Sequence, residues 1–161
     1  MEKQQELISF SGEDLQNLVQ KISRDFFEGL PYIKTTFKHS AYFNNRLRTT
    51  AGRYFINQGN IELNPKYYEK YGLEGLISTI KHELAHYHLH QMGLPYKHRD
   101  KEFIALVKIV NAPMHAKPMR QYKYVYTCST CGVSFHRMKK INTNKYRCGK
   151  CKGTITLKET V

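Results

Sequence analysis

The sequence is poor in several residue types, and each shortage excludes a class of protein. Its 161 residues contain no Trp, only four Cys, and 13 acidic side chains against 26 Lys and Arg. No apolar run reaches the ~18 residues that a membrane-spanning helix requires. The first residues also lack the basic and then apolar pattern of a secretory signal. We therefore expect a cytoplasmic protein that does not contact a membrane.

The shortage of acidic side chains is greatest in the last third of the chain. Residues 112–161 carry eleven Lys and Arg but a single acid, Glu159. Such a basic segment favours polyanions, because their condensed counterions are released on binding. We therefore expect nucleic acid, specifically DNA, as a partner of this segment. The alternative is a solvated basic face with no dedicated partner.

The strongest motif is the HExxH run His82-Glu83-Leu84-Ala85-His86. On an α-helix, two imidazoles four residues apart point from one face and can bind a single ion. Apolar residues keep a helical spacing through the motif, and no Pro or Gly interrupts residues 76–92. Glu83 follows the first ligand and can act as general base on a water that Zn²⁺ acidifies. The motif therefore predicts the chemistry of peptide hydrolysis.

A zinc ion bound by His82 and His86 needs a third protein ligand. Two further histidines of the same helix are unsuitable: His88 points from a different face, and His90 lies two turns, or ~12 Å, from the first ligand. His98 lies twelve residues after the motif and beyond the break at Gly93-Leu94-Pro95, so it can fold back onto the ion. Glu102 could supply a carboxylate instead. We prefer His98 and keep Glu102 as the alternative.

The pattern around the motif predicts a mixture of helices and strands. A Ser11 N-cap with an acid three residues later begins a helix that ends before Gly29. A short helix begins after Asn64, Gly72 ends it, and the active-site helix follows as far as Met92. β-branched and aromatic residues become frequent between these helices. They predict strands at residues 33–37, 51–57 and 60–64.

A second motif follows a linker at residues 113–118. Two C-x-x-C pairs, separated by sixteen residues, use all the cysteines of the chain: Cys128, Cys131, Cys148 and Cys151. This spacing is typical of a tetrahedral zinc ribbon, and cytosolic thiols do not form disulfides. Because four thiolates leave no open coordination position, the ion is structural. We predict a first domain at residues 1–116 and a ribbon domain at residues 117–161.

The ribbon segment interleaves basic and aromatic side chains. Its tyrosines alternate as strand residues do, and basic residues occupy many of the positions between the two cysteine pairs and beyond them. Basic side chains can contact phosphates while aromatic rings stack on bases. The same rings could form the small core of the ribbon instead. We expect at most one or two of them to contact a ligand.

These features together resemble the SprT family, and more narrowly the bacterial SprT-like proteins. The resemblance covers about residues 10–155 in order. It rests on the HExxH motif, His98, Ala51-Gly52-Arg53, Ile61-Glu62-Leu63-Asn64-Pro65 and the four-cysteine ribbon. It implies an α+β fold, in which a zincin-like metalloprotease core of helices on a small antiparallel sheet precedes a small β zinc ribbon. It also implies zinc ligation by His82, His86 and His98, with Glu83 as the catalytic acid and base.

The resemblance further implies a function. The eukaryotic relative, Spartan, is a DNA-dependent protease that degrades proteins crosslinked to DNA. We therefore expect a zinc metalloprotease with one catalytic and one structural Zn²⁺, acting on DNA-bound or DNA-crosslinked proteins. The alternative is a non-enzymatic, zinc-containing protein that binds nucleic acid or regulates a partner. Hydrolysis of a non-peptide bond is also compatible with the same residues.

Overall fold

The computed structural model describes residues 9–120 and 122–161, and the chain divides into two compact units between Met119 and Arg120. The first unit contains helices and a three-stranded sheet, and the second contains a three-stranded sheet only. The predicted α+β class, with a ribbon after the helical core, is therefore confirmed. In the part of the chain that the structure describes, no helix has the length and apolar character needed to cross a membrane.

The first unit contains three α-helices, a π-helical turn and three strands. In chain order these are α1 Gly12–Ser23, the π-helical turn Arg24–Glu28, β1 Ala41–Phe43, β2 Gly52–Phe55, β3 Asn60–Leu63, α2 Pro65–Gln91 and α3 Lys101–Ile109. The second unit contains β4 Tyr124–Cys128, β5 Ser134–Arg137 and β6 Ile155–Thr160. Helix α2 carries the HExxH motif.

The end of the first unit lies slightly beyond the predicted domain boundary at residues 116 and 117. The Tyr71 hydroxyl donates to the carbonyl of Pro118 at 2.6 Å, and the Lys70 ammonium donates to the carbonyl of Met119 at 3.0 Å. These bonds hold the end of the linker against α2. Residues 117–119 therefore belong to the first unit.

Helix α1 begins as the sequence predicts. The Ser11 hydroxyl accepts the main-chain N–H of Asp14 at 3.1 Å, and the Asp14 carboxylate accepts the N–H of Ser11 at 3.0 Å. This reciprocal pair is a capping box. The helix then widens into the π-helical turn, and the helical conformation ends at Gly29. Its apolar face enters the core of the first unit.

The sheet of the first unit is mixed. Its order is β1-β3-β2, with β2 antiparallel to β3 and β1 parallel to β3. The prediction of an antiparallel sheet therefore applies to the β2–β3 hairpin and not to β1. Residues 44–51 carry the chain from one edge of the sheet to the other, and the hairpin then returns it beside β1 in the same direction. Among the residues that the structure describes, no strand pairs with the other edge of β2.

The prediction of a strand at residues 33–37 is wrong, because within residues 9–120 and 122–161 this segment pairs with no strand. Its main-chain N–H groups bond to side chains: the Phe37 N–H donates to Glu28 Oε1 at 3.0 Å, and the Lys34 N–H approaches the Met92 sulfur at 3.4 Å. Ile33 and Phe37 are nevertheless buried in the core. Burial of alternate residues thus imitated a strand where the chain is irregular.

Helix α2 has a break inside it. Asn64 caps its first turn by accepting the N–H of Lys66 at 3.0 Å, and Pro65 occupies the first helical position, as predicted. Gly72 then adopts φ 66° and ψ −163°, a conformation available essentially to glycine alone. The predicted division into a short helix and an active-site helix is therefore present, although the two run on as one element.

The core of the first unit surrounds the active-site part of α2. Helices α1 and α3 and the inner face of the sheet pack against it. Each fully buried aliphatic or aromatic side chain contributes ~1.5–3 kcal/mol, so α2 is held firmly on three sides. The fully buried residues include Leu15, Val19, Ile61, Leu63, Ile80, Leu84 and Phe103.

The second unit is an antiparallel sheet with strand order β5-β4-β6. The ladder between β4 and β6 contains an irregularity between Val125 and Tyr126. Its buried cluster is small and consists of Tyr126, Cys128, Cys148 and Ile155. Two of these four residues are cysteines, so little apolar burial is available to stabilise this unit.

Candidate metal centre

Three histidine side chains converge at one point of the first unit. Helix α2 presents His82 and His86 one turn apart, and the chain beyond α2 folds back to bring His98 against them. The three Nε2 atoms are 2.9, 3.0 and 3.3 Å from one another. Nitrogen ligands 2.0–2.1 Å from a tetrahedral zinc are ~3.3 Å apart. The spacing therefore fits a single ion.

The protonation of the rings also fits a cation. The carbonyl of Pro113 lies 2.7 Å from His82 Nδ1, and the carbonyl of Tyr96 lies 2.6 Å from His86 Nδ1. Because a carbonyl only accepts, each Nδ1 carries the hydrogen, and each Nε2 presents a lone pair. Burial lowers the pKa of His86 to about 4 and also lowers the pKa of His82. Neutral rings with facing lone pairs form a ligand set for a metal ion.

The sequence left His98 and Glu102 as alternatives for the third position, and the structure places the His98 ring beside the helix pair. His98 joins the helix pair, whereas Glu102 lies in the first turn of α3, exposed and outside the cluster. The helix pair is half-buried and His98 is exposed, so one side of the cluster is open. That side leaves room for a ligand that does not come from the protein, as in catalytic zinc sites.

Glu83 lies beside this cluster and lines the same cleft. Burial raises the pKa of Glu83 to about 8, and a hydrogen bond from the main chain of Tyr54 acts in the opposite direction. A cation held by the neighbouring imidazoles would also favour the carboxylate form. The residue therefore combines burial, a position next to the first ligand and access to the cleft.

The cleft has a volume of about 510 Å³ and four walls. Strand β2 and residues 49–51 form one wall, and helix α2 forms the floor. The other two walls are residues 96–98, which lead to and include His98, and residues 113–116, which begin the linker. Its charged side chains are Arg53, Lys97 and Glu83. The cleft is thus open, largely apolar and centred on the three histidines.

The free edge of β2 borders this cleft. The Ala51 carbonyl accepts the N–H of Asn64 at 2.8 Å, which makes this an inward-facing, hydrogen-bonded pair of the antiparallel ladder. Because such pairs alternate, the main-chain groups of Gly52 and Tyr54 point away from β3. The Tyr54 N–H donates to Glu83, so the Gly52 N–H and carbonyl and the Tyr54 carbonyl are the outward groups that an extended chain along the cleft could meet.

The two histidines excluded by the sequence analysis have other partners. His88 is fully buried, with Nε2 2.8 Å from Ser23 Oγ and Nδ1 2.7 Å from Thr35 Oγ1. His90 Nδ1 lies 2.7 Å from the hydroxyl of Tyr54 on β2. Neither belongs to the metal cluster. The first links α2 to α1 and the irregular segment, and the second links it to the sheet.

Sequence reasoning missed the carbonyl groups that orient the helix ligands. Any residue type supplies a carbonyl, so no signal in the sequence marks Tyr96 or Pro113 for this role. It also missed His115, which lines the cleft with its ring centroid 6.4 Å from that of His98. Its position depends on the course of the linker, which shows no periodicity.

The four cysteines form the second cluster. All four Sγ atoms lie within 4.8 Å of one another, and two pairs, Cys128 with Cys151 and Cys131 with Cys148, are 3.4 and 3.7 Å apart. Thiolates bound to a tetrahedral zinc at ~2.3 Å are ~3.8 Å apart. The geometry therefore suits one zinc ion, as expected for a ribbon.

The two C-x-x-C turns have the same construction. The Gly132 N–H donates to the Cys128 carbonyl at 3.0 Å, and the Lys152 N–H donates to the Cys148 carbonyl at 2.8 Å. Both donors have positive φ, 72° for Gly132 and 64° for Lys152. Gly153 follows the second turn and packs closely against the first. A Cβ at Gly153 would lie 2.5 Å from the Thr130 hydroxyl.

The basic side chains of the second unit are on its surface. Among residues 122–161 none forms an ion pair with a carboxylate. The exposed cations include Lys123, Arg137, Lys139, Lys140, Lys145, Arg147, Lys150 and Lys152. Tyr126 is buried and its hydroxyl accepts the N–H of Ile141, whereas Tyr122 and Tyr146 are 38% and 52% exposed. Only the latter two rings are available to stack on a ligand.

Comparison with known proteins agrees with these two units. The family described as "SprT-like family" matches residues 15–127, and the "SprT-like zinc ribbon domain" matches residues 122–159. "Protein SprT-like" of Geobacillus sp. (strain WCH70) is 50% identical over 151 residues, covering 89% of this chain and 94% of the relative. "Protein SprT-like" of Bacillus anthracis (strain CDC 684 / NRRL 3495) is 49% identical over 150 residues, covering 90% and 95%. No solved structure matches the chain.

Proposed function

This chain belongs to the SprT-like family and carries its zinc ribbon, and on that premise we propose that it is a zinc-dependent endopeptidase acting on DNA-bound or DNA-crosslinked proteins. One observation carries the proposal. Three imidazole Nε2 atoms within 3.3 Å of one another lie beside a buried carboxyl group, in an open cleft bordered by a free strand edge. This combination supports a zinc peptidase, because it would provide the ligand set, the base and the substrate groove.

The chemistry divides between the ion and Glu83. Zn²⁺ held by His82, His86 and His98 supplies Lewis acidity, which lowers the pKa of water towards ~7 and polarises a carbonyl group. Glu83 accepts one proton from the attacking water, whose oxygen forms a bond to the carbonyl carbon. Glu83 then returns that proton to the amide nitrogen as the C–N bond breaks. The second proton of the water passes from the new carboxylic acid to the amine, so the products are a carboxylate and an ammonium group, and Glu83 regains its initial state.

The free edge of β2 supports a peptide as the substrate. An extended peptide can pair with the outward N–H and carbonyl of Gly52 and with the Tyr54 carbonyl, as strands add to exposed sheet edges elsewhere, whereas the Tyr54 N–H already donates to Glu83. This pairing uses main-chain atoms only and therefore reads little of the substrate sequence. It places successive peptide bonds along the cleft that contains the three histidines. We therefore expect the protein to cleave many different unfolded or extended segments, with little preference for their sequence.

The surface of the second unit supports DNA as a partner. Its exposed Lys and Arg side chains have no acidic partners among residues 122–161, and two exposed rings, Tyr122 and Tyr146, lie among them. Cations without local partners bind phosphates by releasing counterions, and exposed rings can stack on unpaired bases. Binding of DNA by this unit would bring proteins on the same DNA to the peptidase.

Digestion of a DNA-binding protein tests the proposal. Wild type, Glu83→Gln and Glu102→Gln are compared with and without single-stranded DNA, and zinc is counted in each protein. We expect about two zinc ions per chain in all three proteins, with cleavage that requires DNA. Glu83→Gln should lose at least ~10³-fold in rate, because an amide cannot accept the proton. Glu102→Gln, a matched change outside the cluster, should cleave like wild type.

The alternative function makes a different prediction. A non-enzymatic DNA-binding or regulatory protein is favoured only by the basic second unit, which does not depend on the cleft. If this alternative holds, the experiment should find two bound zinc ions, DNA binding that depends on salt, and no cleavage under any condition. Equal digestion by wild type and Glu83→Gln would contradict the assigned mechanism instead.

A further inference from the structure

We propose that His115 is a catalytic residue whose ring N–H donates a hydrogen bond to the oxyanion formed during hydrolysis. The inference rests on the proposed peptidase function. Attack on a peptide carbonyl moves negative charge onto its oxygen, and donors already aimed at that position lower the barrier. Glu83 serves as the base and cannot also stabilise negative charge. The zinc ion would polarise the carbonyl group, and a separate N–H donor in the cleft would stabilise the oxyanion further.

The position of His115 suits this role. It lines the cleft together with the metal cluster and Glu83. Its ring centroid is 6.4 Å from that of His98, with the two ring planes at 67°. The His115 ring therefore lies beside the cluster, and a substrate oxygen bound in the same cleft would need ~2.7–3.2 Å to its donor nitrogen.

The main chain on both sides of His115 is held in place. Before it, the Pro113 carbonyl accepts the Nδ1–H of His82 at 2.7 Å. After it, the Lys117 N–H donates to the Tyr67 hydroxyl at 3.1 Å, and two residues of α2 hold the carbonyls that follow. The first of these bonds joins the segment to a metal ligand. The main chain that carries the donor is thus fixed before substrate binds, which favours electrostatic stabilisation.

Three other polar side chains that line the cleft are engaged elsewhere. The Tyr54 hydroxyl bonds to His90 Nδ1 at 2.7 Å and accepts from Gln91 at 3.1 Å. Tyr67 is buried and its hydroxyl accepts the Lys117 N–H. Arg53 is paired with Glu62 on the outer face of the sheet.

The His115 ring, in contrast, is exposed. Across residues 9–120 and 122–161 it makes no hydrogen bond. Because no hydrogen bond within those residues occupies the His115 ring, the ring is available to a substrate in the cleft. Lys97, Thr49 and Thr50 are further exposed donors of the cleft, and the experiment compares His115 with Lys97, the charged one.

The donor keeps its proton throughout the reaction. The proton that moves travels from water to Glu83 and then to the amide nitrogen, so the His115 N–H contributes a hydrogen bond only. Such a bond is stronger to the oxyanion than to the ground-state carbonyl. Its loss therefore reduces kcat, by ~10²–10³-fold in comparable sites, and leaves KM nearly unchanged.

The test uses the zinc-loaded full chain as wild type, His115→Ala, His115→Gln and Lys97→Gln. Two ligands are titrated calorimetrically: a peptide phosphinate, whose tetrahedral oxygens imitate the oxyanion, and a peptide hydroxamate, which is planar and chelates zinc. We expect His115→Ala to weaken phosphinate binding by ~10²-fold, in proportion to its loss of kcat/KM, and hydroxamate binding by less than ~3-fold. His115→Gln retains an N–H donor and should recover part of the loss.

Several results would overturn the inference. The first two are an unchanged phosphinate affinity in His115→Ala and an equal loss of affinity for both ligands in that variant. The other two are a larger effect of Lys97→Gln than of His115→Ala on the ratio of the two affinities, and a wild-type protein that binds neither ligand. The ratio of phosphinate affinity to hydroxamate affinity is measured without any turnover of substrate. It therefore tests the role of His115 separately from the proposed peptidase function. Failure of Glu83→Gln to stop cleavage would contradict the peptidase mechanism while leaving this ratio as measured.

Discussion

The carbonyl oxygen of Tyr96 lies 2.6 Å from Nδ1 of His86. This contact joins the segment that carries His98 to α2, the helix that carries His82 and His86. The ring of Tyr96 also packs against His90, with centroids 4.7 Å apart. His90 in turn bonds to the Tyr54 hydroxyl. The position of His98 beside the helix pair therefore depends on a tyrosine outside the histidine cluster.

Truncating that tyrosine should weaken the metal site. In Tyr96→Ala the segment loses its ring contact with α2, so the carbonyl and His98 become less well positioned. We expect a 10–100-fold loss of zinc affinity at the three-histidine site, the usual range for groups that orient ligands. Competition with a chromophoric chelator measures it, and Tyr96→Phe, which keeps the ring, should remain within ~3-fold of wild type. Equal affinities in Tyr96→Ala and wild type would show that the contact does not support the site.

His88 should affect stability and not metal binding. The ring is fully buried, bonded at both nitrogens to Ser23 and Thr35, and stacked on Phe27 with centroids 5.1 Å apart. His88→Ala leaves a cavity and two hydroxyls without their partner, so we expect a loss of ~2–4 kcal/mol in the free energy of unfolding.

Urea denaturation measures the effect of His88→Ala, and the zinc content of the folded protein serves as the second reading. Thr35→Ala is the matched change, because it removes a single hydrogen bond of the same ring and should cost ~1 kcal/mol. Loss of zinc from folded His88→Ala would show that this histidine, against our prediction, takes part in metal binding.

The sequence predicted the residues whose spacing is itself the signal. Four-residue periodicity identified the histidine pair of α2, and two C-x-x-C pairs identified the cysteine cluster. The strand at 33–37 was predicted wrongly, because alternate burial of Ile33 and Phe37 resembles a strand while side chains satisfy the main chain. The position of His115 could not be predicted, because it depends on tertiary contacts of the linker.

Glu62 should make the first unit sensitive to acid. Burial alone would raise the pKa of its carboxyl, but hydrogen bonds from Arg53, Tyr42 and Asn44 outweigh that effect and hold the pKa below its usual value of 4.5. A lowered pKa in the folded state stabilises the protein above pH ~4.5, and this stabilisation is lost as the pH falls through the folded value.

Comparison of wild type with Glu62→Gln tests this pH dependence. The amide keeps the shape but removes the charge, so the variant should be less stable by ~1.5–3 kcal/mol at pH 7. The difference should shrink towards zero as the pH falls below 4.5. Denaturant titrations at several pH values measure it, and the shared loss of zinc in acid cancels in the difference. A difference independent of pH would contradict the ion pair as its source.

The second unit should unfold when its zinc ligands are removed, while the first unit remains folded. Its buried cluster consists of two cysteines with Tyr126 and Ile155, so without the metal too little apolar surface is buried to offset the conformational entropy of about forty residues. In Cys148→Ser we expect the amide NMR signals of residues 122–161 to collapse to unfolded positions.

The signals of the first unit provide the internal comparison in that experiment. Its core of α1, α2, α3 and the mixed sheet contains no cysteine, so they should keep their wild-type positions. Ser129→Ala, an exposed change beside the first ligand, removes one hydrogen bond to the Thr154 carbonyl and should leave both sets of signals dispersed. Collapse of the first unit in Cys148→Ser would show that it requires the ribbon to fold, and dispersed ribbon signals would show that three thiolates suffice.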